Sequence, residues 1–182
     1  MNQEKTIKSE QIYAGRIVNL RVDTVSLPDG RTKKREIVGH PGAAAIVALM
    51  DEGVLLVEQY RKAVETGTLE IPAGTLEAGE SAEQCARREL VEETGFQASE
   101  LDKLTEFYPS PGFSSEIIHI FNASGLEKVP DADAELPITF VPLNELLTKI
   151  RNGEIRDGKT IIGVLMLMAM LTVERERMSQ QD

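Results

Sequence analysis

Gly74-Thr75-Leu76-Glu77-Ala78-Gly79-Glu80-Ser81-Ala82-Glu83-Gln84-Cys85-Ala86-Arg87-Arg88-Glu89-Leu90-Val91-Glu92-Glu93-Thr94-Gly95-Phe96 is the stretch from which the rest of the chain is read. Ser81 followed three residues later by Gln84 is a capping box, and Gly95 is a natural left-handed stop. Ala82 to Thr94 is therefore expected to form a helix of about 20 Å. At 100° per residue, Glu92 and Glu93 fall about 60° to one side and about 40° to the other of Glu89, so three acids share one narrow face. Like charges at this spacing cost an isolated helix roughly 0.2–0.5 kcal/mol per pair, so stability does not explain them. A divalent cation would reverse the sign of that cost. Oxygen-only ligation suits Mg²⁺ or Mn²⁺, and no His or Cys lies in the acid cluster to suggest zinc. Arg88, four residues before Glu92, would contribute only about 0.3 kcal/mol as a surface bridge; its expected use is to hold the Glu92 carboxylate in one orientation. A solvated helix face accounts for an isolated Glu-Glu pair, but not for acids at fixed spacing from Gly74 and Glu80. The residues before the helix, Ile71 to Glu80, read as a loop of small residues where backbone can approach a ligand closely.

Composition narrows the possibilities around this motif. The chain has 182 residues, 41% of them hydrophobic, enough for one well-filled core plus a small accessory element. A net charge of −10 argues against nucleic acid or an anionic membrane as partner. An acidic protein acting on an anionic phosphate ester needs cations at its site, which the glutamates would recruit. The single Cys85 excludes an internal disulfide and fits a reducing cytosol, and no signal-peptide pattern opens the chain, so a cytoplasmic location is expected. Within the box helix, Cys85 is expected to be packed rather than reactive.

Ile17 to Leu27 alternates in period two and turns at Pro28-Asp29-Gly30 into Lys33 to Val38, a hairpin outside the main body. Ala43 to Met50 and Val54 to Tyr60 are apolar strands, and a shorter strand is expected near Leu69. Leu104 to Tyr108 and Glu116 to Phe121 add two more. Leu143 to Arg151, stopped by Gly153, reads as a second helix. Ile161 to Val173 is apolar but too short to cross a bilayer, and is expected to be a buried or dimer-packing helix, with Met166, Met168 and Met170 serving packing. Asp131 to Glu135 is expected to be a solvated acidic loop. Strands mixed with a few helices, without regular βαβ alternation, indicate an α+β class. The boundary is placed between an N-terminal β-hairpin region, residues 1–40, and a main domain, residues 41–182.

Gly74, Glu80, Arg88, Glu89, Leu90, Glu92, Glu93, Gly95 and Phe96, at these intervals, resemble the Nudix box, the signature of hydrolases that cut a nucleoside diphosphate linked to another moiety. The resemblance implies an α/β/α sandwich around a mixed sheet, and a metal set of Glu89, Glu92, Glu93 and the carbonyl of Ala73. Gln59-Tyr60-Arg61, the β-rich N-terminal extension and Ser110-Pro111-Gly112-Phe113-Ser114-Ser115-Glu116 resemble the ADP-ribose pyrophosphatase subfamily, where a proline sixteen residues past the box glycine, here Pro111, marks ADP-ribose activity. By position, Arg35 and Glu36 match a pair holding the adenine end, partly from the opposite subunit of a homodimer. Arg61 matches a substrate-contacting arginine, and Pro111 and Gly112 lie in the substrate loop. Glu116 matches a glutamate proposed as the base, with Glu92 and Glu93 as rivals. His40 and His119 are expected to be structural. The implied reaction converts ADP-ribose to AMP and ribose 5-phosphate with two or three Mg²⁺. The alternatives are another nucleotide sugar, such as GDP-mannose or ADP-glucose, and a sensor that binds ADP-ribose without turnover.

Overall fold

The computed structural model describes residues 3–50 and 53–179. It divides into two compact units, the first comprising residues up to Gly42 together with Phe107–Ile117, the second Ala43–Glu106 with the residues from Ile118 onward.

The first unit is a three-stranded antiparallel sheet in the order β1 (Lys5–Ala14), β2 (Asn19–Ser26), β3 (Thr32–Gly39). The expected hairpin is β2–β3, paired from Asn19↔Gly39 to Ser26↔Thr32. Its turn closes through the Gly30 N–H on the Leu27 carbonyl at 3.0 Å, and Gly30 takes φ of 82°, a conformation that favours glycine. Strand β1 was not anticipated. All of its residues are exposed, so no face is buried to leave an alternating pattern in the sequence. It is held to β2 by backbone pairing and by Ser9, whose Oγ donates to the buried Asp23 carboxylate at 2.6 Å.

In the second unit, strands β4 (Ala43–Met50), β5 (Gly53–Arg61), β8 (Phe96–Phe107), β9 (Ile118–Lys128) and β10 (Ile138–Val141) lie in the order β10-β5-β4-β9-β8. The short strands β6 (Thr66–Glu70) and β7 (Ala73–Thr75) pair with β5 and β4. β4 runs parallel to β9 and antiparallel to β5 and β7, so the sheet is mixed. Helices α1 (Ala82–Thr94) and α3 (Gly158–Ser179) pack on opposite faces of it. Ala44, Ile46 and Ala48 join Cys85, Ala86 and Leu90 of α1 in one buried cluster, the alanines letting helix and sheet approach closely. On the alternate face, Val47 meets Gly163 of α3, where an added Cβ would lie 2.7 Å from Val47 Cγ2. This is the α/β/α sandwich.

Helix α2 (Leu143–Arg151) has the expected bounds. Helix α3 is longer than the apolar run and is covered on one face only: Thr160, Gly163, Val164 and Leu167 are buried, while Leu165, Met166 and Val173 are exposed. Helical period leaves a face of even a uniformly apolar run turned away from the sheet. The strand expected from Glu116 begins at Ile118, and the one expected at Leu104 is the end of the much longer β8. No helix among the described residues is long and apolar enough to cross a membrane.

Candidate active site

The box helix is fixed at both ends by its own sequence. Ser81 Oγ accepts from the Gln84 N–H at 3.2 Å, Gln84 Oε1 accepts from the Ser81 N–H at 2.9 Å, and Gly95, at φ of 73°, donates to the Val91 carbonyl at 2.8 Å. An N-cap of this kind contributes about 1 kcal/mol and sets the angular position of every side chain that follows.

Arg88 gathers the acids. Its Nε and Nη2 donate to the two oxygens of Glu80 at 2.9 and 3.0 Å, while Nη1 donates to Glu89 at 2.6 Å and to Glu92 at 3.0 Å. The bond to Glu92 anticipated from helical spacing is present, but the bidentate partner is Glu80, from the loop before the helix. That loop is thereby tied to α1, and the Arg88 guanidinium holds the Glu80 carboxyl down at about 2.

Glu89 and Glu93 lie against backbone. An added Cβ on Gly74 would fall 1.8 Å from the Glu89 Cδ, so the carboxylate occupies the space a side chain would take. Glu93, buried, accepts from the Ala73 N–H at 2.9 Å. Residues read from sequence as loop, Ala73 to Thr75, are thus strand β7, whose pairing with Ala43–Ala45 presents both the Ala73 N–H and the bare Gly74 Cα to the helix. Burial pushes Glu93 up to about 7, and burial also raises Glu89. Glu92 is exposed.

Three carboxylates, those of Glu80, Glu89 and Glu92, share the one Arg88 guanidinium, leaving two negative charges unbalanced when all are ionised, and Glu93 lies beside them on the Ala73 N–H. Cys85 donates to the Gly74 carbonyl at 3.5 Å, and burial pushes its thiol up to about 12, so it offers no thiolate. The donors are oxygen only, which fits a hard divalent cation. Among the described residues no three acidic, His or Cys side chains are gathered closely enough to enclose an ion by themselves. A cation would complete its shell with backbone, water or substrate oxygens, as Mg²⁺ characteristically does.

The remaining candidates fall in both units. Arg61, at the end of β5, donates through Nε and Nη2 to Glu70 at 2.8 and 2.7 Å. Glu70 also accepts from Thr68 and Lys159, and neither Glu70 nor Lys159 was singled out in the sequence; Lys159 lies 89 positions from its partner, beyond any local pattern. In the first unit, Arg35 on β3 forks onto Glu4 at 3.0 and 2.5 Å, and Glu36 is exposed. Pro111 and Gly112 are exposed within a turn closed by the Phe113 and Ser114 N–H groups on the Ser110 carbonyl. The turn is joined to β3 by the Val38 N–H on the Phe113 carbonyl at 2.7 Å and the Ser115 N–H on the Val38 carbonyl at 3.0 Å. Glu116 follows, its carboxylate 3.7 Å from His40 Nδ1, and that nitrogen accepts from the Gly42 N–H at 3.1 Å. His119 meets Glu106 at 3.1 Å.

Comparison with known proteins matches residues 39–161 to a NUDIX domain, and residues 4–38 to a nucleoside diphosphate sugar hydrolase N-terminal domain. The chain is 48% identical to a methanol dehydrogenase activator of Bacillus methanolicus, covering 89% of this chain and 91% of that protein. It is 42% identical to an ADP-ribose pyrophosphatase of Bacillus subtilis, covering 96% and 98%, and 36% identical to a GDP-mannose pyrophosphatase of Citrobacter koseri, covering 89% and 94%. A crystal structure of an ADP compounds hydrolase superposes with a TM-score of 0.83 at 22% identity, covering 94% of this chain and 96% of that one, a likeness of fold.

Proposed function

The chain belongs to the Nudix family of hydrolases, and from that premise we propose that it cuts the diphosphate of ADP-ribose to give AMP and ribose 5-phosphate. The observation that carries this reading is the seating of two box acids against β7, Glu89 over the bare Cα of Gly74 and Glu93 on the Ala73 N–H, with Arg88 tying Glu80 and Glu92 around them. Family members generally use divalent cations, and we assign Mg²⁺, with Mn²⁺ as a substitute, to Glu89, Glu92, Glu93 and the Ala73 carbonyl. When bound, the cation supplies charge neutralisation for the diphosphate and makes water a better nucleophile.

The chain's own residues take the other tasks. Arg88 holds Glu80, Glu89 and Glu92 in place while the substrate's negative charge arrives. Arg61 offers a planar fork suited to phosphate oxygens. Arg35 and Glu36 are assigned to the adenine end, and Pro111 and Gly112 to the substrate loop. Glu116 is assigned to take the proton from the attacking water, and Glu92 and Glu93 are its rivals for that role. The relatives named for ADP-ribose and the subfamily pattern at Pro111 support the choice of sugar.

We further propose a cytoplasmic homodimer formed through residues 1–40, with residues 41–182 carrying the chemistry, and no nucleic-acid or membrane partner. Exposed Ile7, Ile12 and Tyr13 on β1 support the dimer, and a monomer by light scattering at micromolar concentration would exclude it. A panel of ADP-ribose, ADP-glucose, GDP-mannose and NADH, with product identification, tests the substrate. ADP-ribose is expected to lead in kcat/KM, and a tenfold preference for GDP-mannose would move the chain to that alternative. Tight ADP-ribose binding without hydrolysis, with either cation, would make it a sensor. A second reading, action on an alcohol dehydrogenase, is favoured by the 48% identity to the methanol dehydrogenase activator. Methanol dehydrogenase assayed with and without the chain decides it, unchanged turnover excluding the activator role.

A further inference from the structure

Glu70 closes β6 and is 2% exposed, yet both of its oxygens are fully engaged. Oε1 accepts from Arg61 Nε at 2.8 Å and from Thr68 Oγ1 at 2.6 Å; Oε2 accepts from Arg61 Nη2 at 2.7 Å and from Lys159 Nζ. Lys159 is itself buried in the first turn of α3 and meets Asp157 at 3.1 Å. Asp157 in turn caps that helix, accepting from the Thr160 N–H at 2.9 Å, and Thr160 Oγ1 accepts from the Ile71 N–H at 2.9 Å. The strand end carrying Glu70 is therefore fastened to α3 at two adjacent residues. Burial pushes the Glu70 carboxyl up, but the bonds from Arg61 and the charge of Lys159 outweigh it and hold it at about 2, so Glu70 is ionised at neutral pH.

Arg61 is the exposed member of this set, its side chain 44% accessible, and among the described residues its Nη1 has no partner. A guanidinium is rigid and planar, with five N–H donors. Clamping its Nε and Nη2 edge onto a carboxylate removes its rotational freedom and leaves the terminal edge, one N–H from each η nitrogen, as a second fork. A carboxylate buried this deeply is a costly way to hold an exposed arginine unless the arginine's direction matters, since a surface pair would serve stability as well.

We propose that Glu70 is a positioning residue for the substrate's diphosphate: backed by Thr68 and Lys159, it locks Arg61 so that the free fork of that guanidinium takes phosphate oxygens. This rests on the reading of the chain as a nucleoside diphosphate hydrolase, and assigns Glu70 a task exercised only through Arg61.

The test is a double-mutant cycle on the full-length chain, with kcat and KM for ADP-ribose measured for the wild type, Glu70→Gln, Arg61→Gln and the double variant, each checked by thermal melting. Glu70→Gln and Arg61→Gln are each expected to raise KM by about tenfold with kcat within about threefold, and the double variant is expected to be no worse than Arg61→Gln, because residues acting as one unit are not additive. Arg61→Lys, which keeps the charge and loses the fork, is expected to raise KM nearly as far as Arg61→Gln. A double variant whose KM rises by the product of the two singles would overturn the proposal, as would a Glu70→Gln protein with unchanged KM. If Glu70→Gln does not fold, Thr68→Val replaces it in the cycle, with a KM rise of about threefold that disappears in the Arg61→Gln background; persistence of that rise would overturn the proposal equally. If the wild type leaves ADP-ribose intact and cuts another nucleoside diphosphate, the substrate reading fails separately, and the same cycle on that substrate still decides the role of Glu70.

Discussion

Gly74→Ala separates the position of Glu89 from the stability of the fold. The new Cβ would lie 1.8 Å from the Glu89 Cδ and from one of its oxygens, and ordinary carbon contact begins near 3.5 Å, so the carboxylate must retreat by more than about 1.5 Å. It can do so, because it is the far end of a flexible side chain rather than backbone. The stability terms are small and opposed: a Gly→Ala change at a compatible backbone position stabilises by roughly 0.4–1 kcal/mol, and losing the 2.6 Å bond from Arg88 to Glu89 costs at most about 1 kcal/mol while Arg88 keeps its fork on Glu80. The melting temperature is expected to stay within about 4 °C of wild type. Activity is another matter, since misplacement by about 1 Å at a reacting centre can cost about 100-fold. Thermal melts together with ADP-ribose turnover over a Mg²⁺ titration are the assay, with kcat expected to fall at least about 100-fold. Wild-type turnover in the folded variant would show that the Glu89 position is not used. A collapse in melting temperature of about 10 °C or more would show that the backbone of β7 gives way instead.

Glu93→Gln and Glu89→Gln are each expected to lower turnover by more than about 100-fold without loss of fold, and near wild-type turnover in either would refute their assignment to the cation. Glu116→Gln is expected to lower kcat by about 10²–10⁴-fold with Mg²⁺ affinity and KM little changed; a collapse of metal affinity would make Glu116 a ligand instead of a base. Because the Glu70 carboxyl is held at about 2 in the folded chain against an ordinary value of 4.5, its contribution is complete above about pH 4.5 and is lost as pH falls through about 2. That amounts to about 3 kcal/mol at most, and nearer about 2 once solvent screening at the exposed end of Arg61 is allowed for. Urea melts across this range should show a flatter pH dependence for Glu70→Gln than for wild type, and parallel curves would refute the linkage.

What could be read from the chain directly was what its neighbours in sequence determine. Helix α1 matches its expected bounds because Ser81, Gln84 and Gly95 are local devices, and the angular placement of Glu89, Glu92 and Glu93 follows from them. Strands β4 and β5 were legible because they are buried and apolar for most of their length. What escaped was either patternless or distant. β1 has no buried face, and β7 is three residues defined by their pairing with β4. The same distinction runs through the site. Arg88–Glu92 is one helical turn and was anticipated, whereas the fork onto Glu80 needs the loop to fold back, and Lys159–Glu70 joins the start of α3 to the end of β6.

Arg35 and Arg61, both expected at the substrate, each grip a carboxylate with a fork, but the two grips are physically different. Arg35 and Glu4 have side chains 38% and 36% exposed, so opening that pair returns two charges to water at little cost. Glu70 has a side chain 3% exposed, and freeing Arg61 from it would strand a buried charge at a cost of about 3–5 kcal/mol, only partly offset by Lys159. If Arg35 holds a nucleotide as proposed, the nucleotide would displace Glu4 and recruit the whole guanidinium. A phosphate taken by Arg61, as proposed, would leave the bond to Glu70 in place and use the edge that Glu70 leaves. On the proposed assignment, Arg35 would be a contact made on binding and sensitive to salt, while Arg61, already held by Glu70, would lose less freedom when a ligand arrives.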